Sequence, residues 1–192
     1  GNVWDLFESE NFLLEGQVET FVTGDAVVFD ESATVKTVTL AEEVVPSSVV
    51  VKGDANYTFQ GDGHIGGDAT FTKEGEGTLA IGNMNPYTGK TIISGGTVKP
   101  ASLATLQSAG SLGALSNSAD NFVVQNGATI YTTGDMFQES PMTMGEGGGV
   151  FNVDGGNLHL KGVIKGTTLT KNGSGTLHIY GTDNSHKKTI LN

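Results

Sequence analysis

Four histidines and a scatter of aspartates are the side chains whose types and spacing invite chemistry. His159 and His178 sit in like triplets, Leu158-His159-Leu160 and Leu177-His178-Ile179, 19 residues apart. If the triplets stack, the two imidazoles lie one above the other and offer nitrogens to a metal with a nearby carboxylate. No third ligand falls on the same ladder, so the pair reads as two exposed neighbours. His64 and His186 stand alone. Asp25, Asp30, Asp54, Asp62 and Asp68 lie in turn-like settings where oxygen ligands can collect calcium. No D-x-D-x-D-G loop and no nonapeptide calcium repeat is present, and solvated turn aspartates are the default reading. Gly61-Asp62-Gly63-His64-Ile65-Gly66 spells G-x-G-x-x-G, but a dinucleotide site needs a helix to follow, with its N-terminus on the pyrophosphate. Glycine and then the strand pattern Thr70 to Thr72 follow instead, so these glycines read as turns. Nothing in the spacing brings two carboxylates together for hydrolysis, and no turn presents a serine nucleophile. The sequence assigns no catalytic, cofactor-binding or metal residue.

The composition narrows the classes further. The net charge of −11 comes from 21 acidic residues against 10 lysines, and there is no arginine. Phosphate backbones need a cationic face, so nucleic acid is not an expected partner. The acidity reads as a solvated surface that keeps a β-rich chain soluble. The absence of cysteine excludes a disulfide scaffold. No run approaches the ~18 apolar residues of a membrane span, so no membrane insertion is expected. A chain of 192 residues can bury one substantial core. Its 29 glycines are spread along the chain, as a fold with many tight turns requires.

Apolar residues alternate or occur in short runs between Gly, Asn, Asp and Thr. Ala26 to Phe29, Val35 to Leu40, Ser48 to Val51, Thr78 to Ile81, Thr129 to Tyr131 and Thr176 to Ile179 are clear cases. Many short β-branched strands between turn signals predict an all-β fold. Two stretches depart from this. Trp4 to Leu14 fits either a helical stripe of Trp4, Phe7 and Leu14 or an irregular strand. Ser102 to Leu115 fits a helical turn or a loop.

The element that positions everything is an internal repeat. Phe71 to Pro100 returns 98 residues later as Leu169 to Leu191. Lys73 aligns with Lys171, Gly75 with Gly173, Gly77 with Gly175, Leu79 with Leu177 and Thr91 with Thr189. A repeat of strand patterns and glycine turns signals a solenoid rather than a sandwich. Stacked triplets would point Leu158 and Leu160 inward above Leu177 and Ile179, with His159 outside above His178. At about 20 residues per coil and ~4.8 Å per coil, roughly nine coils make a rod near 45 Å long. Within the motif, Gly75 and Gly77 are expected to need positive φ. Leu79 and Ile81 point inward, Asn83 and Asn85 bond backbone at a turn, and Tyr87 is half-buried. Residues 1–21 form an atypical acidic segment whose Trp4, Leu6, Phe7, Phe12, Leu13 and Leu14 are available to cover one end, leaving residues 22–192 for the solenoid. Gly1 reads as a tag remnant. The second copy stops where the first continues into Ser94-Gly95-Gly96, which reads as a fragment of a longer protein.

Thr72-Lys73-Glu74-Gly75-Glu76-Gly77-Thr78-Leu79-Ala80-Ile81, then Asn85-Pro86-Tyr87-Thr88-Gly89-Lys90-Thr91-Ile92, then Gly95-Gly96-Thr97-Val98 resemble the autotransporter-associated β-strand repeat. The second copy agrees through Ile179 and then drifts, with Ser185 and Lys187 opposite Tyr87 and Gly89. The resemblance implies a right-handed parallel β-helix that is exported and displayed on, or released from, a bacterial cell. It implies no reaction and carries no catalytic residues. The expected function is therefore a non-enzymatic structural or adhesive module: a stalk, a spacer or a contact surface. Its partner would be a host or bacterial surface glycan or protein. The alternative is a carbohydrate-binding or polysaccharide-degrading module, since the same scaffold serves polysaccharide lyases. Lyase chemistry of that kind resembles calcium plus a basic residue, often arginine, which this chain lacks.

Overall fold

The computed structural model describes residues 2–192, so Gly1 and its reading as a tag remnant lie outside the described residues. The chain winds into about eight parallel coils, an all-β solenoid with three walls. The long wall has nine strands, in the order Val3–Trp4, Thr37–Leu40, Tyr57–Gln60, Thr78–Ile81, Thr97–Pro100, Ala128–Thr132, Gly149–Val153, Thr168–Asn172 and Lys188–Leu191. The second wall has seven: Ala26–Phe29, Ser48–Val51, Thr70–Glu74, Thr91–Ser94, Phe122–Val124, Met142–Met144 and Ile164–Gly166. The third wall is split into Glu43–Val44 with His64–Ile65, and Met136–Gln138 with Asn157–Leu160 and Thr176–Ile179. Every pairing within these walls is parallel. The first strand of the long wall, Val3–Trp4, belongs to the N-terminal segment rather than to a coil.

Alternation decides which side chains fill the interior, because successive residues of a strand point to opposite faces. Leu79 stacks between Tyr57 and Val98, and the column continues through Ile130 and Phe151. All five are fully buried. Each aliphatic side chain hidden this way contributes about 1.5–3 kcal/mol, which offsets the ordering of a chain rich in glycine. Neighbouring Thr78 and Ala80 face out, as the pattern predicts.

Coil turns must stack as tightly as the strands, and this sets the glycines. Gly75 has φ +75°, a left-handed conformation. Gly77 does not have positive φ. A Cβ there would lie 2.2 Å from the carbonyl oxygen of Ala55 on the preceding coil. Close approach, not backbone conformation, therefore requires the second glycine of the motif.

Both ambiguous stretches take their non-helical reading. Residues 4–14 contain the strands Val3–Trp4 and Phe12–Leu14, the latter in an antiparallel hairpin with Gln17–Glu19. Residues 102–115 form a loop that docks where the third wall is interrupted. There Asn85 Nδ2 donates to Ser111 O at 2.8 Å, and Ala104 N donates to Gln138 Oε1 at 3.1 Å. The only helical piece among the described residues is one 3-10 turn, Ala119–Asn121.

Candidate functional site

The stacked histidines exist and are part of a longer ladder. In the third wall Phe137 pairs with His159, and His159 with His178. Leu158 and Leu160 point inward, so the rings on the residues between them stand outside. Phe137 and His159 stack with centroids 4.4 Å apart and planes 9° from parallel, and His159 and His178 at 4.6 Å and 5°. Tyr180 Oη lies 2.9 Å from His159 Nδ1, and His178 Nε2 lies 3.3 Å from Asn157 Oδ1. Asp135 Oδ1 accepts from both the backbone N and the Nδ2 of Asn157, each at 2.8 Å. These bonds hold the Asp135 carboxyl below its ordinary pKa. Lys161 Nζ lies 5.1 Å from the Phe137 ring centre and 2.7 Å from Glu139 Oε1, and with the Leu106 N–H it holds Glu139 low in the same sense.

This geometry does not chelate. Imidazole binds metal through an in-plane lone pair at about 2.0–2.1 Å. Lone pairs in two parallel, stacked rings run side by side and do not converge, and one nitrogen of each ring, His159 Nδ1 and His178 Nε2, is engaged by Tyr180 and Asn157. Among the described residues no three His, Asp or Glu side chains come together as a metal cluster. The ladder instead presents ring edges and the half-exposed Tyr180 ring to solvent.

Two of the five turn aspartates, Asp25 and Asp30, bond their own turns. Asp25 Oδ2 accepts from Val22 N at 2.9 Å, and Asp30 Oδ1 accepts from Ser32 N at 2.9 Å and from Ser32 Oγ at 2.6 Å. The Ser32 bonds lower the Asp30 pKa. Asp54 Oδ1 accepts a long bond from Glu76 N at 3.4 Å, while Asp62 and Asp68 are exposed. His64 Nε2 stands 3.7 Å from Glu43 Oε1 across the first part of the third wall. The G-x-G-x-x-G run is a turn, with Gly61 at φ +103°, that leads into the short strand His64–Ile65.

The repeat holds contacts that sequence reasoning missed. Lys73 occupies an inward position between Val51 and Ile93, is 1% exposed, and donates through Nζ to Glu74 O and Gly75 O at 3.0 Å each. Its ammonium ties down the glycine turn, and burial lowers its pKa. Lys171 makes the same kind of bond, to Gly173 O. Tyr87 is completely buried rather than half-buried, and its hydroxyl meets Thr91 Oγ1 at 2.7 Å. Burial pushes that hydroxyl well above the ordinary tyrosine pKa.

The second copy also keeps more than its sequence shows. Ile65 N donates to Asn85 Oδ1 at 2.9 Å, and Ile164 N donates to Asn184 Oδ1 at 2.8 Å. Tyr87 N donates to Ile65 O, and both Ser185 N and His186 N reach Ile164 O, at 2.9 and 3.3 Å. His186 Nε2 meets Thr189 Oγ1 at 2.7 Å, as Tyr87 meets Thr91. By this side-chain bond His186, rather than Ser185, stands in the place of Tyr87. The chain gains one residue after Ile179 and loses one before Thr189, where the pairing of Leu169 with Thr189 matches that of Phe71 with Thr91.

At the N-terminal end Trp4 is buried at the centre of an aromatic cluster, with ring centroids 5.9, 5.4, 5.4 and 6.4 Å from Phe12, Phe21, Phe29 and Phe59. Phe7, Leu13 and Leu14, expected to be buried, are exposed. Phe7 adopts a left-handed backbone that turns it outward, and Leu13 and Leu14 lie in a hairpin with no second layer over it. An open cleft of about 700 Å³ separates this hairpin from the first coil.

A parallel β-solenoid with a lysine-capped, glycine-stacked turn recurring in two of its coils is the class that fold and sequence define. Residues 71–99 and 169–191 match the model of the passenger-associated-transport-repeat, so these two segments carry that repeat and the solenoid built around them is similar to those of autotransporter passenger proteins. Comparison with curated proteins and with solved structures gives no match.

Proposed function

We propose that this solenoid is a non-enzymatic structural or adhesive module of an exported bacterial surface protein. The passenger-type repeat supports export to the surface or the medium. The observation that carries the mechanical part is how the repeat uses its polar residues. Lys73, Asn83, Asn85 and Tyr87 all bond neighbouring turns, loops or coils within the protein. A motif spent on holding coils together builds length and surface, and function then belongs to what the outer walls present. The test is surface display of the intact protein followed by adhesion assays on host and bacterial cells. Retention of displaying cells above a folded, non-solenoid control supports the reading. Turnover of any polysaccharide would contradict it.

One observation favours the second reading, a carbohydrate-binding module. Phe137, His159, His178 and Tyr180 make an exposed aromatic ladder beside the Asp135–Asn157 and Lys161–Glu139 pairs. Glycan arrays with the parent and Tyr180→Ala decide this. Saturable binding lost in the variant would move the assignment to this face.

A further inference from the structure

We infer that the open edge of the strand Ala26–Phe29, with the cleft beside it, is a docking groove for an extended cationic peptide segment of a partner protein. The strand ends the seven-stranded wall, with Ser48–Val51 on one side and, among the described residues, no strand on the other. On the paired side Ser47 N donates to Asp25 O at 3.0 Å and Lys52 N donates to Phe29 O at 2.9 Å. Alternation along a parallel ladder then turns the N–H and C=O of Val27 the same way, and those of Ala26 and Val28 toward the open side. An edge of this kind is a template for one more strand.

Two further features say which strand. The cleft along this edge is lined by Phe12, Leu14, Val22, Val28 and Val35, and of these Leu14, Val22, Val28 and Val35 are exposed. Alternate apolar side chains of an incoming segment have places to settle there. The first 35 residues of the chain carry eight Asp and Glu and no Lys or Arg, and of these Glu19, Asp25 and Asp30 line the cleft. An extended segment that alternates apolar and basic residues therefore pairs its backbone with Ala26 and Val28, lays one face in the cleft, and sets the other against the carboxylates. The terminal hairpin, with Leu13 and Leu14 exposed, forms the opposite bank.

The test uses the whole chain and a labelled ten-residue peptide of alternating lysine and valine, read by fluorescence anisotropy. The expected result is saturable binding that weakens as salt rises from about 50 to about 500 mM. Val28→Pro removes an amide that no neighbouring strand uses, so the protein keeps its circular dichroism and loses affinity about tenfold or more. N-methylation of alternate peptide amides gives the same loss without touching the protein, which keeps the test decisive if the proline variant misfolds. Equal binding of a glutamate–valine peptide, no saturable binding, or unchanged affinity on N-methylation overturns the proposal. So does concentration-dependent self-association abolished by Val28→Pro, which would give the edge to a second copy of this chain. None of these outcomes depends on cell adhesion, so this inference and the adhesive reading fail separately.

Discussion

Two copies of one motif sit in different surroundings in this molecule. The first copy, residues 71–99, has coils above and below it. The second, residues 169–191, lies in the last coils described. Leu79 and Ile81 are at most 1% exposed, whereas the matching Ile179 is 37% exposed and Leu177 is only partly buried. Lys73 is buried, and Lys171 is only partly buried. The turn bonds nevertheless recur: lysine to a turn carbonyl, asparagine to an isoleucine N–H, and an aromatic or imidazole to a threonine hydroxyl. The motif encodes turn and register, and burial comes from the neighbouring coils.

Substitutions at matched positions should therefore diverge. Leu79→Asp places a carboxylate in a fully buried column and should cost more than about 4 kcal/mol, unfolding the coils around it. Leu177→Asp should cost distinctly less and spare the coils before it, as chemical denaturation followed by circular dichroism would show. Equal losses would break the comparison. Gly77→Ala comes next. Its Cβ would meet Ala55 O at 2.2 Å, against 2.7 Å from Gly175 to Gly156 O. Both methyls collide with backbone, so we expect about 2–3 kcal/mol at Gly77 and a smaller loss at Gly175. Tyr87→Phe removes one buried hydrogen bond and should cost about 1 kcal/mol. Thr91 Oγ1 keeps its bond to Leu112 O at 3.0 Å. His186→Phe removes the matching bond in a more open site and should cost only a few tenths of that.

The smallest effect is the pH dependence of the third wall beside the second copy. Asn157 holds the Asp135 carboxyl low, and Lys161 does the same for Glu139. A carboxyl whose folded pKa is depressed contributes stability that is present above its unfolded pKa and lost as pH falls through its folded one. Acidification through the ordinary carboxylate values of 3.8 and 4.5, and on below them, should therefore loosen this wall modestly. Asn157→Ala should raise the Asp135 pKa toward its ordinary value in an NMR titration. An unmoved titration would show that the Asn157 side-chain bond does not form in solution.

Much of this was legible in the sequence, because the information lies in spacing. The strand triplets around His159 and His178 gave the stacking register, and the alternation around Leu79 gave the inward face. Depth was less legible. Tyr87 reads as half-buried because its hydroxyl needs a partner, and that partner, Thr91, becomes visible only once the coil closes. Lys73 looks like any lysine until its strand is seen to point it inward. Asn184 and His186 were hidden by a one-residue shift that an ungapped alignment carries past them. In the N-terminal segment, hydrophobic residues alone did not tell Trp4, which is buried, from Leu13 and Leu14, which are not. Hairpin geometry makes that distinction. The candidate site was legible as a histidine pair. The Phe137 ring above it and Tyr180 beside it were not, since neither lies in a matching triplet.

Spin-label distances along the outer face of the long wall test the stacked-coil account most directly. Thr78, Thr97, Thr129, Val150, Thr170 and Ile190 form one outward column in register. The chain has no cysteine, so two introduced cysteines label only the chosen sites. Labels at residues 78 and 170 should lie about 19 Å apart and labels at 78 and 190 about 24 Å apart, one coil further at ~4.8 Å per coil. A 78-to-190 distance equal to or shorter than the 78-to-170 distance, or broad distributions for both, would contradict it.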